Sequence, residues 1–284
     1  MNIGIVGLGL MGGSFGRAIC KSGEHNVFGY DVNEQVMLKA QLLKAINQPL
    51  TKENANQLDL LIVAVFSRKF KEVVQEFLPF LKDQAIVIDF CGIKRTIISQ
   101  MQELNKLYPN IFFIGGHPMA GREFSGIEHS QCNLFNKASM ILVPIKEDIF
   151  VESKLKNLFL SIGCDKVVIT DAKTHDKNIA YTSQLCHIVS SSFIKSPTAE
   201  KHFGFSAGSY KDMTRVARMN ADMWAELVLD NSDYVVEELD IIINNLNEFK
   251  NAIASKNGKK VKELFEEGNN KKISIDLGRN KCKQ

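Results

Sequence analysis

A histidine held between a glycine pair and a nearby arginine and glutamate is the first place where this chain could do chemistry. In Ile114-Gly115-Gly116-His117-Pro118-Met119-Ala120-Gly121-Arg122-Glu123, an apolar run ends in two glycines and then presents an imidazole. Open α/β sheets bind ligands at the carboxyl ends of their strands, and a loop histidine there faces that edge. Such an imidazole can polarise a hydroxyl and take its proton while hydride leaves the same carbon. Taken alone, a loop histidine is more often a surface or structural residue. The remaining elements must decide.

A hydride needs an acceptor, and the N-terminus carries a place for one. Ile3-Gly4-Ile5-Val6-Gly7-Leu8-Gly9-Leu10-Met11-Gly12 reads as a strand, a G-x-G-x-x-G turn and a helix start. Gly7 permits the tight turn, Gly9 lets backbone approach a pyrophosphate, and Gly12 lets the helix pack closely on the strand. Together with Leu8, Leu10 and Met11 they would present helix N–H groups to phosphate. Asn26–Tyr30 reads as the second strand, ending at Asp31. A carboxylate about 20 residues beyond the turn suits a ribose 2′-hydroxyl and repels a 2′-phosphate, so NAD is expected over NADP. Ser67, after the third strand, and Gly92, after the fourth, are the further positions expected to line the cofactor.

The elements that must position these groups alternate through the first half. Strands are expected at Asn2–Val6, Asn26–Tyr30, Leu60–Val65, Ala85–Phe90, Ile111–Gly115, Met140–Val143 and Lys166–Ile169. Helical periodicity separates them, as at Lys69–Phe80 and Arg95–Leu107, which fits a parallel sheet covered on both faces. From about Lys173 the β-branched runs stop, and helical periodicity covers His175 to Phe193 and Ala221 to Ala254. The expected architecture is an α/β Rossmann-type dinucleotide-binding domain over 1–170, then an all-helical C-terminal domain over 171–284. Gly268 to Gln284 reads as a short polar tail, with no room for a further regulatory domain.

With 45% hydrophobic and 24% charged residues the chain is ordinary for a globular protein. The net charge of +3 is too small to argue for nucleic acid, its excess lying in the basic tail that includes Arg279, Lys281 and Lys283. Cys20, Cys91, Cys132, Cys164, Cys186 and Cys282 form no C-x-x-C pair and read as reduced thiols. With neither a signal peptide nor an apolar stretch of about 18 residues, the expectation is a cytoplasmic protein without membrane contact.

The segment Gly115 to Gly126 resembles the G-G-H-P-M-A-G-x-E-x-S-G signature of prephenate and arogenate dehydrogenases. Two later stretches carry the same resemblance. Ser183-Gln184-Leu185-Cys186-His187 is similar to the family's S-H-L-P-H segment, with Gln184 and Cys186 as departures. Gly208-Ser209-Tyr210-Lys211-Asp212-Met213-Thr214-Arg215 is similar to its G-x-F-K-D-x-T-R segment and is followed by Trp224. The resemblance implies oxidative decarboxylation of prephenate to 4-hydroxyphenylpyruvate with NAD⁺, in tyrosine biosynthesis. It implies that His117 receives the proton of the ring hydroxyl, Arg215 binds a substrate carboxylate, and His187 and Ser183 face the pyruvyl side chain. Glu123 would stand by Arg215 at the mouth, with Gly208 and Trp224 bordering the substrate. It further implies a homodimer built through the helical domain.

One departure touches the chemistry. Asp89-Phe90-Cys91-Gly92-Ile93-Lys94 aligns with a family stretch read D-x-G-S-x-K, so Gly92 stands where the family has a serine hydroxyl beside the histidine. Arogenate, which has an ammonium in place of the ketone, is the nearest rival substrate. The absence of an acidic partner near His187 and Ser183 favours prephenate. Two more distant readings are a β-hydroxyacid dehydrogenase, which would use a helix lysine, and a catalytically silent NAD-binding regulator.

Overall fold

Aliphatic and β-branched runs become central strands whose side chains are buried on both faces, which explains why few of them alternate with polar residues. The computed structural model describes residues 1–281, with side chains to 278. Cys282, Lys283 and the side chains of Arg279 and Lys281 lie outside the described residues. The chain divides into two units, Met1–Ser232 and Asp233 onward, so residue 171 falls within the first.

The first unit opens with β1 (Asn2–Val6), α1 (Leu10–Ser22), β2 (Asn26–Tyr30), α2 (Glu34–Leu42) and the two-residue β3 (Gln48–Pro49). It continues through β4 (Leu60–Val63), α3 (Phe70–Phe77), β5 (Ile86–Asp89), α4 (Arg95–Leu107) and β6 (Phe112–Pro118). The sheet is completed by β7 (Ser139–Pro144), α5 (Ile149–Ser161) and β8 (Lys166–Ile169), in the order β3-β2-β1-β4-β5-β6-β7-β8. Successive residues of β4 enter opposite cores: Leu60 and Ile62 pack with α1 and α5 residues, Leu61 and Val63 with α3 and α4. On the first side Phe15 meets Phe90, Phe159 and Phe135 with ring centroids 5.3, 5.9 and 6.2 Å apart. Aromatic rings at these separations fill a core tightly and favour edge contacts.

The sheet departs in one place from the all-parallel arrangement expected from the sequence. β6 and β7 run antiparallel, His117 pairing with Ile141 and Pro118 with Met140. Only a short turn of helix, Ile127–His129, lies between them, and an antiparallel neighbour needs no crossover helix. This pairing also extends β6 past Gly115. His117 is therefore the penultimate residue of a strand, and not part of the loop that follows.

Beyond β8 the first unit is helical: α6 (Ala172–Ile179), a π-helical turn over Ala180–Leu185, α7 (Cys186–Ile194), α8 (Gly208–Thr214) and α9 (Ala221–Leu229). The second unit is α10 (Ser232–Ala254) and α11 (Gly258–Lys281), joined through a Phe249–Phe265 contact of 5.0 Å between centroids. The periodicity read from Ala221 to Ala254 is thus two helices, and the expected polar tail is helical as far as Lys281. Lys262–Glu266 and Lys272–Asp276 ion pairs one turn apart support α11. Among the described residues no helix is long and apolar enough to cross a membrane.

Candidate active site

The glycine turn has the geometry a dinucleotide requires. Gly7 has φ +88°, and a Cβ there would lie 2.5 Å from the Ala64 carbonyl oxygen. A Cβ on Gly12 would lie 2.0 Å from the Gly7 carbonyl oxygen, so no side chain fits between α1 and the turn. At Gly9 a Cβ would meet nothing within 4 Å, which leaves the backbone open to a ligand. No side chain caps α1, and its first turn carries no acid, so its positive end is available to phosphate. Leu8 buries its side chain but donates its N–H to Asp31 Oδ2 at 2.9 Å, while Asn33 N–H donates to Oδ1 at 2.9 Å. These bonds hold the carboxylate at the end of β2, beside the turn. Leu10 and Met11 begin α1, half-buried. Ser67 is buried after β4, and its neighbour Arg68 donates N–H to Glu226 of α9 at 3.0 Å and pairs with it through Nε at 3.2 Å.

His117, at the end of β6, leads into a buried polar chain. Its Nδ1 lies 2.9 Å from His175 Nε2, and His175 Nδ1 lies 2.7 Å from Asp176 Oδ1. Asp176 also accepts from the Lys94 N–H at 2.8 Å, and from the N–H and Nε of Arg95 at 2.9 and 3.2 Å. Arg95 and Asp176 link α4 to α6. Asn231 closes the chain: Nδ2 donates to the Asp176 carbonyl at 2.9 Å and to Gln184 Oε1 at 2.7 Å, and Oδ1 accepts from Arg95 at 2.8 Å. Beneath His117, Asp89 accepts from the Gly116 N–H at 2.9 Å and pairs with Lys94 Nζ, both side chains fully buried. Removing one partner of such a buried pair typically costs about 3–5 kcal/mol, because the other charge is left uncompensated.

Electrostatics hold this chain in a defined state. Burial pushes the His117 imidazole well below its usual value, with His175 and Lys94 adding to the shift, so it is neutral near pH 7. Burial also lowers His175, although its bond to Asp176 opposes the change. For Asp176, burial alone would raise the carboxyl. Its bonds from His175 and from the Arg95 and Lys94 backbones outweigh that, keeping it ionised.

A second group gathers on α7 and α9. His187 stacks on Trp224 with ring centroids 3.7 Å apart, and its Nδ1 donates to the Ser183 carbonyl at 2.9 Å. Burial lowers the His187 pKa, the Ser183 bond opposes this, and the charge of Arg215 adds to the lowering. The π turn matters to this placement. In an uninterrupted α-helix His175 and His187 would lie about 120° apart around the axis, whereas one extra residue reduces this to about 20°. Arg215, just after α8, pairs with Glu123 at 3.1 Å. Gly208 is exposed at the start of α8. Arg122 and Arg218 each place a guanidinium over the Phe124 ring, 5.7 and 5.5 Å from its centroid. Two arginines, Arg215 and Arg122, therefore act on the Glu123 carboxylate here.

Leu227 occupies the space beside Gly92. A Cβ on Gly92 would lie 3.0 Å from Leu227 Cδ2, so α9 fills the position where the resembling family has a serine. Cys91 does not substitute for that hydroxyl, since its thiol donates to the Val65 carbonyl at 3.4 Å. The structure thus brings together His187, Ser183 and Trp224, and Arg215 with Glu123. It adds His175, Asp176, Asn231, Lys94 and Arg95, which reasoning from the sequence did not single out. The sequence shows His175 and Asp176 as neighbours, but only the packing of α6 against α4 and the end of β6 gives the pair its meaning.

Comparisons with known proteins agree with this geometry. Residues 15–184 match the family model for the prephenate dehydrogenase nucleotide-binding domain, beginning just past the glycine turn. Residues 171–267 match that for the prephenate dehydrogenase dimerization domain. A prephenate dehydrogenase of Lactococcus lactis is 30% identical over 96% of this chain and 77% of its own length. A cyclohexadienyl dehydrogenase of Zymomonas mobilis is 28% identical over 96% of both chains. The crystal structure of prephenate dehydrogenase from A. aeolicus, in complex with hydroxyphenyl propionate and NAD⁺, superposes with TM-score 0.83 at 27% identity, covering 97% of this chain and 98% of that one. The chain belongs to the prephenate dehydrogenase family.

Proposed function

We propose that this protein oxidises and decarboxylates prephenate to 4-hydroxyphenylpyruvate, with NAD⁺ bound on the glycine turn and Asp31 as hydride acceptor. The observation that carries this reading is a neutral imidazole, His117, at the strand edge served by an open glycine turn. The A. aeolicus relative, solved with NAD⁺ and a hydroxyphenyl compound, supports the same cofactor here. His117 takes the proton of the ring hydroxyl as hydride leaves the carbon bearing it. The bond to the ring carboxylate then breaks to release CO₂, its electron pair completes the aromatic ring, and the phenol oxygen recovers the proton. Arg215 meets a substrate carboxylate once Glu123 yields it, a task suited to a planar, permanently charged fork. His187, Ser183 and Trp224 border the side chain, with Gly208 nearby.

The excess of guanidinium groups around Glu123 supports prephenate, a dianion, over arogenate with its additional ammonium. One observation favours arogenate as the second reading. His187 donates Nδ1–H to Ser183, which leaves Nε2 as an acceptor suited to an ammonium. The residues from 171 onward are proposed to form the substrate-binding and dimerisation part, a reading supported by the dimerization-domain model over 171–267. The test is kcat/KM for both substrates with NAD⁺, together with His117→Asn. The expected results are a preference for prephenate and a loss in kcat of about 100-fold or more with NAD⁺ binding retained. An unchanged rate in the variant rejects the mechanism, and a large preference for arogenate reverses the substrate.

A further inference from the structure

We infer that His175 and Asp176 are positioning residues that hold His117 in the one tautomer able to act as base, and that they form a closed proton store with no outlet. The tautomer follows from hydrogen-bond logic along the chain. Asp176 is surrounded by donors, namely the Lys94 and Arg95 backbone N–H groups and Arg95 Nε, so it is a carboxylate and only accepts. His175 Nδ1, 2.7 Å away, must therefore carry a proton. A neutral His175 then presents a lone pair at Nε2. His117 Nδ1, 2.9 Å from that lone pair, must be the donor. Nε2 of His117 is left as the unprotonated nitrogen, and it is the one free for a substrate hydroxyl. Among the described residues no other neighbour is seen to specify this state, because Gly92 brings no hydroxyl and Leu227 fills the adjacent space.

The store is closed because the reaction, on the proposed reading, needs no outlet. Prephenate dianion and NAD⁺ become hydroxyphenylpyruvate monoanion, CO₂ and NADH, with no net proton released or taken up. The proton lent to His117 Nε2 returns to the phenol oxygen in the same turnover. A relay to solvent would let it escape, whereas Asp176 is fully buried and His175 nearly so. While His117 holds the proton, the imidazolium donates its Nδ1–H to His175, and the Asp176 carboxylate stabilises the charge through that ring. The charged groups facing the chain are Lys94, itself paired with Asp89, and Arg95, paired with Asp176. Lys94 is held in place by Asp89, and Arg95 by Asp176 and Asn231.

This inference rests on the proposed reaction for its purpose, but its main test does not. Protein labelled with ¹⁵N-histidine and saturated with NAD⁺ reports the tautomer of each ring by long-range ¹H–¹⁵N spectra near pH 7.5, with His117→Asn assigning the signal. The expected spectrum has His117 protonated at Nδ1 and bare at Nε2. A ring protonated at Nε2 overturns the proposal, and this measurement needs no variant that must fold. In His175→Leu the two tautomers should mix and kcat should fall by about 10-fold or more, with KM and NAD⁺ binding little changed. In His175→Gln, whose amide oxygen can accept the same N–H, the Nδ1–H tautomer and most of kcat should return. A His175→Leu protein with wild-type tautomer and kcat also overturns it. If the wild-type protein oxidises neither prephenate nor arogenate, the reaction reading fails while the tautomer result still decides this inference.

Discussion

At the scale of single residues, Asp31 shows how one carboxylate can be fixed and still keep lone pairs for the proposed ribose contact. Each of its oxygens accepts one backbone N–H, from Leu8 and from Asn33, and each keeps a further lone pair. Replacing it with asparagine turns one oxygen into an NH₂ group facing an N–H donor, so the anchor weakens and with it the proposed ribose contact. Asp31→Asn should bind NAD⁺ about 10-fold less tightly, with a smaller loss for NADP⁺ because the repulsion of a 2′-phosphate is relieved. Titration of both dinucleotides by fluorescence measures the ratio, and an unchanged ratio would show that Asp31 does not select between them. Asp31 was legible in the sequence because a strand end and a glycine turn lie at a fixed spacing. His175 and Asp176 were not, since their meaning depends on α6 packing against α4 and the end of β6. No spacing along the chain encodes which imidazole reaches another across 58 residues.

At the scale of elements, α9 and the α6–α7 pair with its π turn do most of the positioning. One face of α9 offers Trp224 to His187 and Leu227 to Gly92, while Glu226 anchors the loop after β4. The Gln184 amide donates to the Leu227 carbonyl at 2.6 Å, tying the π turn to α9. Asn231 explains why the helical run from Ala221 ends before α10 begins: its side chain is fully buried and bridges Arg95, Asp176 and Gln184. Asn231→Ala should destabilise the protein by about 2–4 kcal/mol, since a buried amide oxygen and carbonyl would each lose a donor. The midpoint of urea unfolding measures this, and a shift equivalent to less than about 0.5 kcal/mol would mean water replaces the amide. Strand positions were legible from apolar runs, and Arg95–Leu107 was read to its exact ends as α4. The antiparallel β6–β7 pair was not, because an apolar run records burial but carries no sign of direction. The π turn was hidden for a similar reason: one inserted residue leaves the hydrophobic pattern intact on either side.

At the scale of the whole molecule, the buried histidines of the site are expected to set the acid limit of the fold. His117, His175 and His187 all have pKa values below that of a free imidazole, with burial the first cause in each. The unfolded chain titrates its histidines near pH 6.5, at about the ordinary value. Between that pH and the lower folded values the unfolded state binds more protons, so stability rises with pH across this window. The contribution is fully present above about pH 6.5 and is lost as pH falls through the folded pKa values. Asp176 acts further down: its lowered carboxyl stabilises the fold above its unfolded value, near 3.9, and that support is lost in stronger acid. The melting temperature should therefore be level from pH 7 to 8 and decline from about pH 6.5 to 5, as the unfolding free energy falls by at most about 1.4 kcal/mol per pH unit for each buried histidine. Bound NAD⁺ raises the curve without changing its direction, because a ligand of the native state adds stability by mass action. Replacing His117 with Asn and His175 with Gln together removes two of these titrations and should flatten the decline. If that double variant keeps the wild-type slope between pH 6.5 and 5, the histidines are not the groups that set acid sensitivity, and the neutral state assigned to His117 loses its thermodynamic support.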